Sequence, residues 1–167
     1  HRQQETPEAR VTILKTVAEL EAIYGETSEA SLIKVSDCLT HGYRKMMEAS
    51  PLVVLATSGP EGLDCSPRGD PGQVITIKDE RTLILPDRRG NNRIDSLRNI
   101  VRDGRVALLF LIPGSNSTLR VNGQAEISVD ADLLAGLSME GKPPRSAIVI
   151  TIGEIYFQCA RALMRAQ

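Results

Sequence analysis

Asp87, Arg88, Arg89, Gly90, Asn91, Asn92 and Arg93 follow one another in a single polar turn. Guanidinium groups present a planar fork of donors that matches the oxygens of a phosphate or carboxylate, and Gly90 gives the backbone freedom to turn. Ahead of the turn lies the strand-like TLILP, Thr82 to Pro86; behind it lies a short helical pattern. Asn92 suits an N-cap, and Asp95 stands three residues on, where a capping-box acid belongs. Ile94, Leu97 and Val101 recur at i, i+3 and i+7, one apolar stripe. Arginines and asparagines thus gather at a helix N-terminus just past a strand. Free backbone N–H groups and the positive end of the helix dipole favour a bound anion there, foremost a phosphate. The same residues would also suit a solvated loop before an ordinary capped helix.

A second basic position is Arg68 in SPRGD, Ser66 to Asp70. It could aim at the same anion, with Gly69 letting backbone approach a ligand, or form a surface pair with an aspartate. The RGD tripeptide is taken as coincidence rather than as an adhesion signal. Arg120, on the polar face of a later strand, could reach a ligand or face water. Groups for nucleophilic or acid–base work are few. His41 is the one internal histidine, no carboxylate pair stands out, and Cys65 near Arg68 reads as a half-buried structural thiol. A phosphate site with so few reactive groups points to a cofactor whose ring carries the chemistry.

Composition bounds the alternatives. A chain of 167 residues suits one domain, and 41% hydrophobic with 25% charged residues marks a globular chain. A net charge of −1 with no Trp, three Tyr and two Phe disfavours a nucleic-acid partner, which needs a positive face and stacking aromatics. No apolar run approaches a membrane span of about 20 residues, and the polar start HRQQETPEAR lacks the apolar core of a secretion signal. Cys38, Cys65 and Cys159 match no zinc spacing and cannot all pair, so reduced thiols in the cytoplasm are expected.

Residues 1–50 read as helical, a segment packed on the sheet of residues 51–167. Thr16 with Glu19 forms a capping-box pattern before Val17, Leu20 and Ile23, and Gly25 ends that helix. Ser28 caps a second helix carrying Leu32, Val35 and Leu39; a third passes through Tyr43, Met46 and Met47 and ends before Pro51. From Leu52 the pattern turns to strands: LVVLAT, a hairpin turn at SGPEG, LDCSPRGD, QVITI, then TLILP after the KDER turn. Val106 to Ile112 is apolar without alternation, so both faces should be buried. Leu119, Val121, Ala125, Ile127 and Val129 then alternate with Arg120, Asn122, Gln124 and Glu126. After a short helix at Leu133 to Leu137 and the GKPPR loop, the strand Ala147 to Gln158 changes parity near Gly153, which suggests a bulge. A last short helix covers Cys159 to Arg165. Mostly hairpin-connected strands with flanking helices favour a mainly β fold, a small antiparallel barrel, over a doubly wound sheet.

This order of segments resembles the pyridoxamine 5′-phosphate oxidase-like family, the FMN-binding split barrel. SPRGD, LILPDRRGNNRIDSLRNI, VALLFLIPG and TLRVNGQAEI, within about Ser50 to Gln158, look like one subgroup of probable FMN-dependent enzymes. The resemblance implies an antiparallel split β-barrel and a homodimer with FMN at the subunit interface, working on a small-molecule substrate. Carried over by position, it places Arg68 near the flavin phosphate or ribityl chain, and Leu85, Pro86 and Asp87 beside the ring. It sets Arg88, Asn91, Asn92 and Arg93 in the phosphate-binding turn with Ser96 one helical turn on, and Thr118 and Arg120 on a further strand. The family's serine-arginine-lysine turn reads Gly90-Asn91-Asn92-Arg93 here, and no arginine-containing tail is recognisable before Gln167, so oxidation of pyridoxamine phosphate itself is not expected. The implied function is hydride or electron transfer through FMN. The alternatives are a non-catalytic flavin or phosphate-ligand binding protein, such as a sensor or carrier, and the same barrel using a deazaflavin. Haem is disfavoured, because His41 falls outside the barrel.

Overall fold

A computed structural model describes residues 12–90 and 92–167; Asn91 lies outside the described residues. The chain divides into two compact units, between Leu32 and Ile33. In the first, Thr16 caps α1 (Val17–Tyr24) by accepting from the Glu19 backbone N–H, and Gly25 ends it with φ of 72°. None of the residues of α1 is buried. The helix begun at Ser28 is shorter than its apolar spacing suggests. As α2 it spans Glu29–Ile33, and Ser36 pairs instead with Ile155 as an isolated bridge.

The second unit holds α3 (His41–Glu48) and seven strands: β1 (Leu52–Gly59), β2 (Gly62–Gly69), β3 (Thr76–Asp79), β4 (Thr82–Pro86), β5 (Arg105–Leu111), β6 (Thr118–Ser128) and β7 (Ala147–Gln158). Between them come α4 (Asp95–Arg102) and α5 (Ala131–Gly136), and α6 (Arg161–Arg165) follows β7. All strands pair antiparallel in one sheet of order β2-β1-β5-β6-β7-β4-β3. The sheet does not close, since β2 and β3 remain edges, and the architecture is a split β-barrel.

Period-2 burial builds the core. Val53, Leu55 and Thr57 of β1, Val106, Leu108 and Phe110 of β5, and Leu119 and Val121 of β6 point inward with Ile148, Ile150 and Ile155 of β7. Isoleucine and valine suit these half-buried pleated positions. The expectation that both faces of β5 are buried is corrected, because Ala107, Leu109 and Leu111 on its outer face are only half-buried in this chain. The bulge expected near Gly153 is present: Asn122 faces Glu154 and Gly123 faces Ile152, so Gly153 is the extra residue. Here the strands approach so closely that a Cβ on Gly123 would run into the backbone oxygen of Thr151.

Helix α4 corrects the N-terminal reading of its sequence. It begins at Asp95 rather than after Asn92, and its N-cap residue is Ile94, in the left-handed region at φ 54° with no side-chain cap. Asn92, at φ 57°, lies outside the helix. The buried stripe is Ser96 and Ile100 with Leu97 packed beside them, whereas Ile94 is 44% and Val101 76% exposed. The helix crosses β1, where Asn99 donates from Nδ2 to the buried Thr57 hydroxyl at 3.1 Å. At its far end Asp103 binds Arg105 through both carboxylate oxygens, the Nη2 contact being 2.6 Å.

Two outcomes test this account. Gly123→Ala should lower unfolding free energy by about 1–3 kcal/mol, the usual cost of overpacking, in chemical denaturation; an unchanged midpoint would mean the bulge relaxes freely. The Arg105 guanidinium holds the Asp103 carboxyl down at about 2, below the usual value of about 3.9. The bond therefore stabilises the fold above the usual value, and that contribution is lost as pH falls through about 2. A carbon-13 titration placing Asp103 in the ordinary range would contradict the geometry.

Candidate functional site

Register decides which side chains of β2 face inward. Arg68 sits opposite Val53, Ser66 opposite Leu55 and Asp64 opposite Thr57, and residues directly opposite in an antiparallel pair share a face. The inner face of this edge strand therefore continues the core of β1 with polar groups. Helix α4, laid across β1, brings Ser96 to them. The Ser96 hydroxyl donates to Asp64 at 2.5 Å and lies 3.3 Å from the Ser66 hydroxyl. Gly59 leaves room for the Asn99 side chain, whose amide a Cβ there would run into.

The other wall comes from the end of β4. Pro86 pairs with Ala147, and the Asp87 backbone N–H continues the ladder by donating to Ser146 O at 3.0 Å. Beyond that point the two strands part, one into the Asp87–Arg93 turn and the other back into the Pro143-Pro144-Arg145 segment. Between β2, this turn, the start of α4 and the proline segment lies a cavity of about 610 Å³. Pro67, Gly69, Val74 and Pro86 give it some apolar surface, but its charged lining dominates: Arg68, Arg88, Arg89, Arg93 and Arg145 against Asp64, Asp70, Asp87 and Asp95.

Most of these charges are already engaged. Arg68 donates to Asp87 at 2.7 Å and, more weakly, to Ser66. Arg88 grips Asp70 from Nε and Nη2 at 3.0–3.2 Å and gives Nη1 to the backbone oxygen of Leu137. Arg93 contacts Asp95 at 3.0 Å. Among the described residues, Arg89 and Arg145 are exposed and make no ion pair with protein. The uncapped first turn of α4 adds backbone N–H groups at the same wall. Two non-glycine residues with positive φ, Asn92 and Ile94, flank Arg93; such backbone, costing about 1–3 kcal/mol each, concentrates at ligand sites. One surplus arginine, two guanidiniums without an ion pair among the described residues and a helix N-terminus without a side-chain cap give this cavity chemistry that suits an anion.

Of the residues singled out from sequence, the cavity gathers Arg68, Gly69, Pro86, Asp87, Arg88, Asn92, Arg93 and Ser96. Leu85 is wholly buried in the core and does not line it. Thr118 and Arg120 lie elsewhere: Arg120 pairs with Tyr156, stacks over its ring at 5.0 Å and donates to Gln158 at 3.1 Å. Arg120 alternates with the buried Leu119 and Val121, so it stands on the outer face of β6, and it does not line the cavity. The sequence reading missed Asp64, Asp70 and Arg145. Alternation along Asp64, Ser66 and Arg68 was the available signal for the first. Within SPRGD, Arg68 and Asp70 are not each other's partners, because each pairs across the cavity with the β4 turn.

Other reactive groups lie outside this cavity. Cys65 is exposed rather than half-buried. Cys159, also exposed, has its thiol held below the ordinary value chiefly by the Arg161 backbone N–H. Among the described residues no cluster of three or more His, Cys, Asp or Glu could hold a metal ion, and no helix is long and apolar enough to cross a membrane.

The family model for pyridoxamine 5′-phosphate oxidase matches residues 39–159. A comparison with curated protein sequences finds no match. Among solved structures, a Lactobacillus delbrueckii protein named provisionally as a pyridoxamine 5′-phosphate oxidase is 24% identical. It superposes with a TM-score of 0.58 over 72% of this chain and 95% of its own. HupZ of Group A Streptococcus is 22% identical, with a TM-score of 0.54 over 70% and 91%. An F420 reductase is 21% identical, with a TM-score of 0.52 over 72% and 98%. At these identities the likenesses establish the fold, while the sequence match spans well over half of the chain. The chain belongs to the pyridoxamine 5′-phosphate oxidase family.

Proposed function

We propose that this chain is an FMN-binding oxidoreductase that works as a homodimer on a small-molecule substrate. The observation that carries the reading is the anion-receptive cavity beside α4, with its surplus arginine, its two unpaired guanidiniums and its uncapped helix N-terminus. The donor set fits a phosphate ester. A volume of about 610 Å³ falls within the range of roughly 300–1,000 Å³ common for cofactor pockets. Arg89, Asn92, Arg93 and the first turn of α4 would hold the phosphate, with Arg145 adding charge from the facing segment. Arg68, Gly69, Pro86 and Asp87 would border the rest of the flavin. When bound, the flavin ring supplies hydride or electron transfer to and from a substrate beside it.

The chain's own part is binding and orientation. Arg68 is fixed by Asp87, so it presents its remaining N–H groups in one direction. Ser66 and Ser96 are tied to each other and to Asp64, which orders a polar floor. The second copy enters through position. Thr118 and Arg120 do not line the cavity of their own chain, so on this reading the service they give is to a neighbour's. Ala107, Leu109 and Leu111, with Leu52 paired beside Leu111, form a half-exposed apolar face suited to a second copy.

An absorption spectrum of the purified chain, followed by titration with FMN and with riboflavin, tests the cofactor. A yellow complex with FMN preferred over riboflavin is expected, and failure to take up FMN would overturn the assignment. Arg89→Ala and Arg145→Ala should each weaken FMN by about 1.5–3 kcal/mol, the worth of a charged hydrogen bond, and leave riboflavin nearly unaffected. Sedimentation should show a dimer; a monomer that still binds FMN would remove Arg120 from the site. Bound FMN that accelerates no oxidation of reduced nicotinamide would make the protein a flavin carrier or sensor instead.

A further inference from the structure

Arg88 would be counted a phosphate ligand from its place in the turn, but its surroundings assign it other work. Its Nε and Nη2 are both spent on the Asp70 carboxylate, and its Nη1 on the Leu137 oxygen at the C-cap of α5. Asp70 is only 9% exposed, and its own backbone N–H is anchored to Pro51 O at 3.0 Å. Arg88 therefore ties three segments that share no strand pairing: the end of β2, the end of β4 and the end of α5. A guanidinium held this way has little of its fork left for a ligand.

We propose that Asp70 is a positioning residue for the anion site: acting through Arg88, it fixes the β4–α4 turn at the spacing from β2 that lets Arg89, Arg93 and the start of α4 meet one phosphate. The proposal rests on the reading that the cavity binds FMN. It makes a prediction opposite in sign to simple electrostatics. Removing a carboxylate from a cavity that binds an anion should strengthen binding by Coulomb's law. Removing the anchor of the turn should weaken it.

The experiment is Asp70→Asn and Arg88→Lys in the full chain, with FMN and riboflavin affinities read by quenching of flavin fluorescence. Asp70→Asn is expected to bind FMN at least tenfold more weakly than the unaltered protein while riboflavin affinity stays within about twofold, so the preference for the phosphorylated flavin collapses. Arg88→Lys, which keeps the charge and loses the fork, should do the same, and combining the two should cost no more than either alone. FMN affinity that is unchanged or improved in Asp70→Asn would overturn the proposal, as would an equal loss for both flavins, which marks a general loosening of the fold. If the unaltered protein takes up no flavin, the cofactor reading fails separately. The strut is then judged on the ligand-free chain, where the melting temperatures of the two single variants and the double variant should coincide; additive shifts would overturn it.

Discussion

Two crossed ion pairs hold the open side of this barrel. Arg68 on β2 reaches Asp87 after β4, and Arg88 after β4 reaches Asp70 after β2. The sheet order puts four strands between β2 and β4, so no backbone ladder joins them. What the backbone cannot supply there, side chains do. Both pairs are largely screened from water, with side-chain exposures between 9% and 28%. Deleting one member of such a pair is costly because the other charge is left with neither partner nor solvent. The same pairs solve an electrostatic problem. Five arginines around one cavity would repel one another; Asp87, Asp70 and Asp95 each hold one, while Asp64 lowers the net charge and still leaves the surplus that an anion needs.

The polar inner face of β2 follows from its place at the sheet edge. An interior strand with Asp64, Ser66 and Arg68 facing the core would strand three polar groups among isoleucines and leucines, at a cost of a few kcal/mol for each one left unpaired. At the edge, α4 and the β4 turn come close enough to hydrogen-bond all three. Helix α4 can do so because Gly59 leaves room for the Asn99 side chain over β1 and because the chain enters the helix through Asn92 and Ile94 in left-handed conformations. A β-branched residue such as Ile94 adopts that backbone unwillingly, so the surrounding contacts must enforce it. The helix then starts without a side-chain cap, and its first residues line the cavity.

Much of the sheet was legible in the sequence because its signals are local. SGPEG and the KDER turn mark hairpins, β6 alternates almost without fault, and the parity change at Gly153 marks a true bulge. The misreadings arise where local rules are met but tertiary structure overrides them. Asn92 and Asp95 satisfy the capping pattern, yet the helix begins two residues later, with Ile94 at the N-cap, because the turn must bend back toward β2. Val35 and Leu39 keep helical spacing after Ser28, yet Ser36 is taken into a bridge with Ile155. Asp70 and Arg145 could not be seen as site residues from their own neighbourhoods. Each enters the cavity only through a partner distant in sequence: Arg88 for Asp70, and the pairing of β4 with β7 for Arg145.

The position of Arg120 carries the argument beyond one chain. Arg120 stands on the outer face of β6, stacked on Tyr156 of β7, and is absent from the lining of its own chain's cavity. An arginine stacked on a tyrosine is nonetheless a preformed cationic platform, its guanidinium oriented by the ring and by Gln158. In a two-fold pair every contact occurs twice, so a face that carries Arg120 to a neighbour's cavity receives the neighbour's Arg120 in return. On the proposed reading, the half-exposed apolar residues of β5 are then the means of association rather than an incompletely covered core, and two complete sites form together or not at all.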